Sequence, residues 1–224
     1  MPEGLPRWKR AVDIMLSLAA MPVLALSTLL SATVMALISP GPVLFRQERV
    51  GYRGRRFKCY KFRTMHAGAD STIHREHCDQ LISSNAPMVK MDAREDSRLI
   101  PGGRLIRASG LDELPQIINV LRGEMSLVGP RPCVFYEYEK YLPWQRARFD
   151  AMPGLTGLWQ VSGKNRTTFD EMIRLDLQYA EHRSLWLDLK IMAKTVPALL
   201  LQLRATGSRR GAPVQTGGSE RAGV

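Results

Sequence analysis

Asp112 and Glu113 are adjacent carboxylates, preceded by Leu111 and followed by Leu114-Pro115-Gln116. Two kinds of chemistry need such a pair: holding a divalent cation such as Mg²⁺, and covalent attack by a carboxylate on an electrophile. In mid-helix, neighbours point about 100° apart, whereas at a helix entrance both reach one site and the peptide dipoles favour negative charge. Acidic residues in a first helical turn are also ordinary complements to the dipole, so the pair alone decides nothing. Arg107 precedes Asp112 by five residues, and Arg131 sits in Gly129-Pro130-Arg131-Pro132. A guanidinium grips phosphate oxygens with a planar fork, and flanking prolines hold the backbone around it rigid. Lys58, Lys61 and Arg63 alternate along a strand-like stretch and would share or straddle one face. Each cation alone reads equally as a solvated surface charge. Together, carboxylates, a place for a divalent ion and several cations are the equipment for cleaving or transferring a phosphate ester, where positioning and charge stabilisation dominate.

The elements that must position these groups follow from periodicity and punctuation. Arg56 to Arg63 alternates polar and apolar, the period of a strand, and Gly51 and Gly54 mark a hairpin with the run starting Val43-Leu44-Phe45. Gly51-Tyr52-Arg53-Gly54 lacks the ending of a phosphate-binding P-loop. Pro115 lacks an N–H and is tolerated only in a first turn, so a helix over Asp112–Leu121 should begin near residues 111–114 and stop at Gly123. Residues 66–96 read as helix plus loop, and residues 135–150 as an amphipathic helix rich in aromatics. Pro153-Gly154 and Gly157 mark a turn, and residues 168–183 read as a polar helix. Leu185 to Leu203 reads as an amphipathic helix interrupted by Pro197. From Thr206 onward Gly, Ser, Arg and Pro dominate, and that tail reads as disordered.

The chain has 224 residues, 45% hydrophobic and 24% charged, which suits one globular domain with an appended element and excludes whole-chain disorder. Its formal net charge is +11, and residues 46–63 hold eight basic residues against Glu48 alone. A charge so localised points to a site for phosphorylated substrates or acidic lipid rather than to a nucleic-acid coat. Arg7, Lys9 and Arg10 precede a stretch from Ile14 to Ile38 without a charged residue, long enough as one helix to cross a bilayer. A cleaved leader fits poorly, because the run is too long and follows Asp13. A spanning helix, and one that enters and leaves on one face, broken at Pro22, remain equally open. Cys59, Cys78 and Cys133 form no disulfide framework, and His74 and His77 near Cys78 lack a second ligand pair for zinc.

At this point the chain resembles a known family, the bacterial sugar transferases, also called monotopic polyprenyl-phosphate phosphoglycosyl transferases. The resemblance runs from residue 9 to about residue 200. In order, it is carried by Lys9-Arg10 with Asp13, Ser39-Pro-Gly-Pro-Val-Leu-Phe45, Arg46-Gln-Glu-Arg-Val-Gly51 and Tyr60-Lys-Phe-Arg-Thr-Met65. Leu111-Asp-Glu-Leu-Pro-Gln116, Asn119-Val-Leu-Arg-Gly-Glu-Met-Ser126, Val128-Gly-Pro-Arg-Pro132 and Pro153-Gly-Leu-Thr-Gly-Leu-Trp-Gln-Val-Ser-Gly163 complete it. Departures from the family pattern are Pro22 in place of a later Ser-Pro, Gly110 for Ser, Met152 for Arg and Lys164 for Arg.

The resemblance implies transfer of a sugar-1-phosphate from a UDP-sugar to undecaprenyl phosphate, with release of UMP, as the first membrane step of exopolysaccharide or other surface-glycan assembly. It implies Asp112 as nucleophile and Mg²⁺ ligand, with Glu113 supporting the metal or orienting the acceptor. Lys61, Arg107 and Arg131, with Arg63, are implied as phosphate-binding positions. The expected architecture is an α/β (α+β), helix-rich small cytosolic domain with short strands, amphipathic interfacial helices and an N-terminal re-entrant membrane helix. Its parts would be residues 1–40, the basic flank and membrane helix; 41–204, the catalytic domain; and 205–224, the tail. The expected place is the cytoplasmic face of the bacterial inner membrane, in contact with membrane lipid; a homo-oligomer is compatible with the sequence, and no nucleic-acid partner is expected. The competing reading is a non-catalytic, membrane-anchored protein that binds acidic lipid through the basic stretch.

Overall fold

The computed structural model describes residues 6–208 apart from residues 67, 70–71, 89–95 and 164–165. The expected disordered tail beyond 208, the Lys164 departure and the middle of the 66–96 segment lie outside the described residues.

The charge-free run forms one helix, α1 (Arg7–Ile38), the only described helix long and apolar enough to cross a membrane. It is continuous through Pro22, where a break or a kink is expected, so the break does not occur. A proline removes one N–H from the ladder but leaves the flanking turns bonded. Beyond it, the hydroxyls of Ser27, Thr28 and Thr33 each donate to the carbonyl four residues earlier. One face of α1 docks on the rest of the chain: Lys9, Asp13, Ser17, Leu24 and Met35 are buried. The other face leaves Leu16, Leu18, Val23, Leu26, Leu29 and Leu37 exposed.

The docked end is polar, and its cations are paired, while Asp13 Oδ2 and the Ser17 hydroxyl are buried without a partner. Lys9 Nζ donates to Asp188 Oδ2 at 2.6 Å and to the Val128 carbonyl at 2.9 Å. The Tyr179 hydroxyl completes the cluster by donating to Asp188 Oδ1 at 2.7 Å. Arg10 Nη2 donates to the Leu121 carbonyl at 2.7 Å, and Asp13 Oδ1 accepts from the Ser126 hydroxyl and the Leu127 amide. Buried charges persist only with such partners.

After the Ser39–Pro42 turn the expected hairpin forms, β1 (Leu44–Val50) antiparallel to β2 (Arg56–Phe62), with Phe45 opposite Lys61. The segment expected to be helix plus loop supplies α2 (Thr72–Ser84). Then come α3 (Gly103–Ser109), a 3₁₀ turn at Leu111–Glu113, and α4 (Gln116–Arg122), stopped by Gly123 as expected. The two-stranded parallel pair of β3 (Ser126–Val128) and β4 (Gly154–Thr156) is joined by α5 (Phe135–Lys140), α6 (Pro143–Arg146) and a 3₁₀ turn. The stretch expected as one helix over 135–150 is therefore broken, since Pro143 cannot continue α5 and instead starts α6. The short α7 (Leu158–Val161), α8 (Phe169–His182) and α9 (Leu185–Ser208) close the fold. Thr168 caps α8 by accepting from the Glu171 amide, and α9 runs through Pro197 without the expected interruption.

The core is divided. Val50, Cys133, Tyr141, Phe149, Trp159 and Phe169 pack under α8, while Leu24 and Met35 of α1 pack on Phe62, Ile100 and Ile117. The second cluster ties the apolar helix to the hairpin and α4, the two elements flanking Asp112.

Candidate active site

Asp112 and Glu113 lie in the 3₁₀ turn and not in the first turn of α4, because Pro115 sits at the junction and α4 starts only at Gln116. The turn is entered through Gly110, in the left-handed region at φ 75°. A side chain there would be strained and would also meet Leu199 Cδ2 of α9 at 3.2 Å, which accounts for glycine at this position. The Glu113 amide donates to the Gly110 carbonyl at 3.0 Å, and Gln202 of α9 donates to the carbonyls of Arg107 and Ala108. Asp112 is buried, only 7% exposed, while Glu113 is half-buried.

From the hairpin, Lys61 Nζ reaches Glu113 Oε1 at 2.7 Å. Asn119 of α4 fixes the strand that carries Lys61: it accepts from the Tyr60 amide and donates to the Lys58 carbonyl. Lys61 of β2 and Glu113 of the 3₁₀ turn therefore form one pair, with Asp112 next to Glu113 in the same turn.

Arg107 and Arg131 form a second group, both lining one cavity with Arg98 and Arg148. Asp112, Glu113 and Lys61 do not line that cavity. The buried Cys59 lies in the field of both groups: burial pushes its thiol up, and the charges of Lys61, Arg49, Glu113 and Arg131 all act on it.

The loop carrying Arg131 is locked by contacts that leave no space for a side chain. A Cβ on Gly129 would stand 2.0 Å from the Met152 carbonyl oxygen, and one on Gly154 would stand 2.0 Å from the Gly129 nitrogen. The two glycine-proline motifs, far apart in sequence, are thus two halves of one interlocked turn. Arg148 Nη2 donates to the Arg131 carbonyl at 2.9 Å, and Arg49 Nη1 donates to the Pro132 carbonyl at 3.1 Å. Arg148 also pairs with Asp176, both fully buried. Neither Arg49 nor Arg148 is among the residues singled out by the sequence. Arg49 stood in a recognised motif, whereas Arg148 has no local signal, because its partners lie on other elements.

Arg63 does not join either group. It is 5% exposed, and its guanidinium donates to the Pro42 carbonyl at 2.8 Å, to the Ser39 hydroxyl at 3.0 Å and to the Ser39 carbonyl. It holds the turn that joins α1 to β1.

The cavity also draws on the segment that the sequence left least defined. His74, His77 and Cys78 of α2 and Glu137 of α5 line it. Among the described residues no three His, Cys, Asp or Glu side chains gather as a metal cage, and the three cysteines are free thiols.

Comparison with known proteins supplies the family. A family model described as bacterial sugar transferase matches residues 5–202. The galactosyl transferase CpsE of Streptococcus agalactiae is 44% identical over 162 residues, which cover 72% of this chain and 35% of CpsE. The UDP-glucose:undecaprenyl-phosphate glucose-1-phosphate transferase of Caulobacter vibrioides is 42% identical over 200 residues, covering 86% of this chain and 69% of the relative. The exopolysaccharide production protein ExoY of Sinorhizobium fredii is 35% identical over 193 residues, covering 86% of this chain and 85% of ExoY. The chain thus spans about a third of the first relative and most of the third. With residues 5–202 matched, the chain belongs to the bacterial sugar transferase family.

Proposed function

We propose that the protein transfers a sugar-1-phosphate from a UDP-sugar to undecaprenyl phosphate, releasing UMP, to initiate exopolysaccharide or another surface glycan. The observation that carries this is the placement of Asp112: a carboxylate in a rigid turn, beside the Lys61–Glu113 pair, in a chain whose relatives are named for such transfers. The non-catalytic lipid-binding reading has no comparable support among the relatives.

The reaction runs as two displacements at one carboxylate. Asp112 attacks the β-phosphorus of the UDP-sugar, the bond to the UMP oxygen breaks and UMP leaves, giving an aspartyl phosphosugar. A phosphate oxygen of undecaprenyl phosphate then attacks the same phosphorus, the aspartyl bond breaks, and the carboxylate is regenerated as the lipid diphosphate sugar departs. Alternating release and entry give ping-pong kinetics. Lys61 holds Glu113 in place and adds positive charge next to the nucleophile. Arg107 and Arg131 grip the phosphates from the cavity side, and the bonds from Arg148 and Arg49 keep the Arg131 loop from yielding.

The donor set fits Mg²⁺: Asp112 and Glu113 offer hard oxygens on consecutive residues, and this ion is commonly held by one or two carboxylates, completed by substrate phosphates and water. Bound by Asp112 with support from Glu113, it would neutralise diphosphate charge.

The arrangement of α1 supports a position on one membrane face. Its N-terminal end is tied to the catalytic domain through Lys9, Arg10 and Asp13, and its C-terminal end through Ser39 and Arg63. Its exposed leucines then face lipid, with the domain on the cytoplasmic side. The exposed Trp186, Leu189, Leu200 and Leu201 of α9 supply a further apolar surface for the membrane interface.

The test is incubation of the full-length protein with undecaprenyl phosphate, Mg²⁺ and UDP-glucose, UDP-galactose, UDP-N-acetylglucosamine or UDP-N-acetylgalactosamine. UMP release with at least one donor is expected, and none with any donor contradicts the proposal.

A further inference from the structure

The cavity that holds Arg107 and Arg131 is also lined by side chains of different chemistry. There α2 and α5 bring together His74, Cys78 and Glu137. The Cys78 thiol donates to Glu137 Oε1 at 3.4 Å and lies 3.5 Å from His74 Nδ1, which also meets the Tyr136 hydroxyl. Burial, with Arg131 and Arg49 next in strength, brings the His74 pKa down to about 4, so at neutral pH the imidazole offers one donor and one acceptor. Burial and the neighbouring Glu137 push Cys78 up to about 12, so the group is a neutral thiol and a poor nucleophile.

This wall suits a polar, uncharged ligand. Glu137 would repel a phosphate, whereas a carboxylate accepts readily from hydroxyl groups. A neutral imidazole pairs with a hydroxyl without charge, and the apolar faces of Trp159 and Met172 line the same space. Arg107 and Arg131 line the same cavity and suit the diphosphate. A nucleoside diphosphate sugar has that polarity: charged phosphates joined to an uncharged, hydroxyl-rich ring.

We infer that the wall formed by α2 and α5 reads the sugar ring of the donor, with Glu137 and His74 as the specificity-determining residues. The inference rests on the proposed transferase reading and adds to it the part of the fold that selects the sugar. Both residues lie outside the motifs that carry the family resemblance.

The experiment compares wild type, Glu137→Gln and His74→Gln, as full chains in the same lipid, by steady-state UMP release from the four donors named above. Melting curves confirm that each variant is folded, and inhibition by UMP provides a probe without a sugar. The expected result is a change of about tenfold or more in the ratio of kcat/KM between the best donor and another, in at least one variant. Inhibition by UMP should stay within about twofold of wild type. Donor ratios unchanged in both variants, or weaker UMP inhibition that tracks the loss of turnover, would overturn the inference. Absence of UMP from every donor with the wild-type protein would instead defeat the transferase reading itself, so the two failures are distinct.

Discussion

Arg63 and Arg131 both stand in short motifs that carry the family resemblance, and both are implied by it as phosphate-binding positions. Their surroundings differ. Arg63 is buried and directs its guanidinium into the Ser39–Pro42 turn, donating to two carbonyls and a hydroxyl. Arg131 lines a cavity, and it is its backbone carbonyl, not its side chain, that Arg148 holds. One region uses an arginine to close the joint between the apolar helix α1 and the hairpin; the other uses buried arginines to hold the backbone of a third that lines the cavity. The residue type sets what a cation can do, but the carbonyls within its reach decide what it does.

That contrast can be broken by substitution. The largest effect is expected at the carboxylate that the cations serve: Asp112→Asn should lower UMP release by at least about 10³-fold while leaving the melting curve near wild type. Arg63→Met should act on stability, because it leaves the buried Ser39 carbonyl and hydroxyl without their donor. A loss of about 2–4 kcal/mol in denaturant unfolding is expected, with donor KM unchanged in the fraction that remains folded. Arg131→Lys should do the reverse, with stability within about 0.5 kcal/mol and UMP release down by about 10–100-fold, since an ammonium cannot reproduce a bidentate fork. Equal effects of the last two on both measurements would erase the distinction.

The smallest effect concerns pH. The folded pKa of His74, about 4, lies below that of an exposed imidazole, so as pH falls the unfolded chain takes up the proton first. Stability linked to this residue is complete above about pH 6.5 and is lost as pH falls toward 4. Arg131, Arg49, His77 and Arg107 all oppose its protonation. His74→Gln should flatten this acid limb, reducing the loss between pH 7 and pH 5 by up to about 2 kcal/mol in denaturant unfolding.

The parts legible in the sequence are those in which the signal is local. The β1–β2 hairpin came from alternation and glycines, the stop at Gly123 from a helix-ending glycine, and α8 from a polar run opened by Thr168. The prolines misled wherever a single missing N–H was read as a break: α1 continues through Pro22 and α9 through Pro197. The Asp112–Glu113 pair was visible as chemistry, but its seat in a 3₁₀ turn depends on Gly110, Leu199 and Pro115 together. The pairing of Lys61 with Glu113 spans 52 residues, and that of Arg148 with Asp176 spans 28, so periodicity could not show either. The wall of α2 was unreadable for the same reason, because His74 and Cys78 acquire meaning only where Glu137 and Arg131 face them.

The central claim is that Asp112 itself carries the phosphosugar between donor and acceptor. The most direct measurement is intact and peptide mass spectrometry after brief mixing with a UDP-sugar and Mg²⁺ in the absence of undecaprenyl phosphate. One equivalent of UMP should be released, and the peptide containing Asp112 should gain the mass of the sugar phosphate, an adduct lost on adding the lipid acceptor and absent in Asp112→Asn. UMP release that requires both substrates at once, with no adduct on that peptide, would contradict the account.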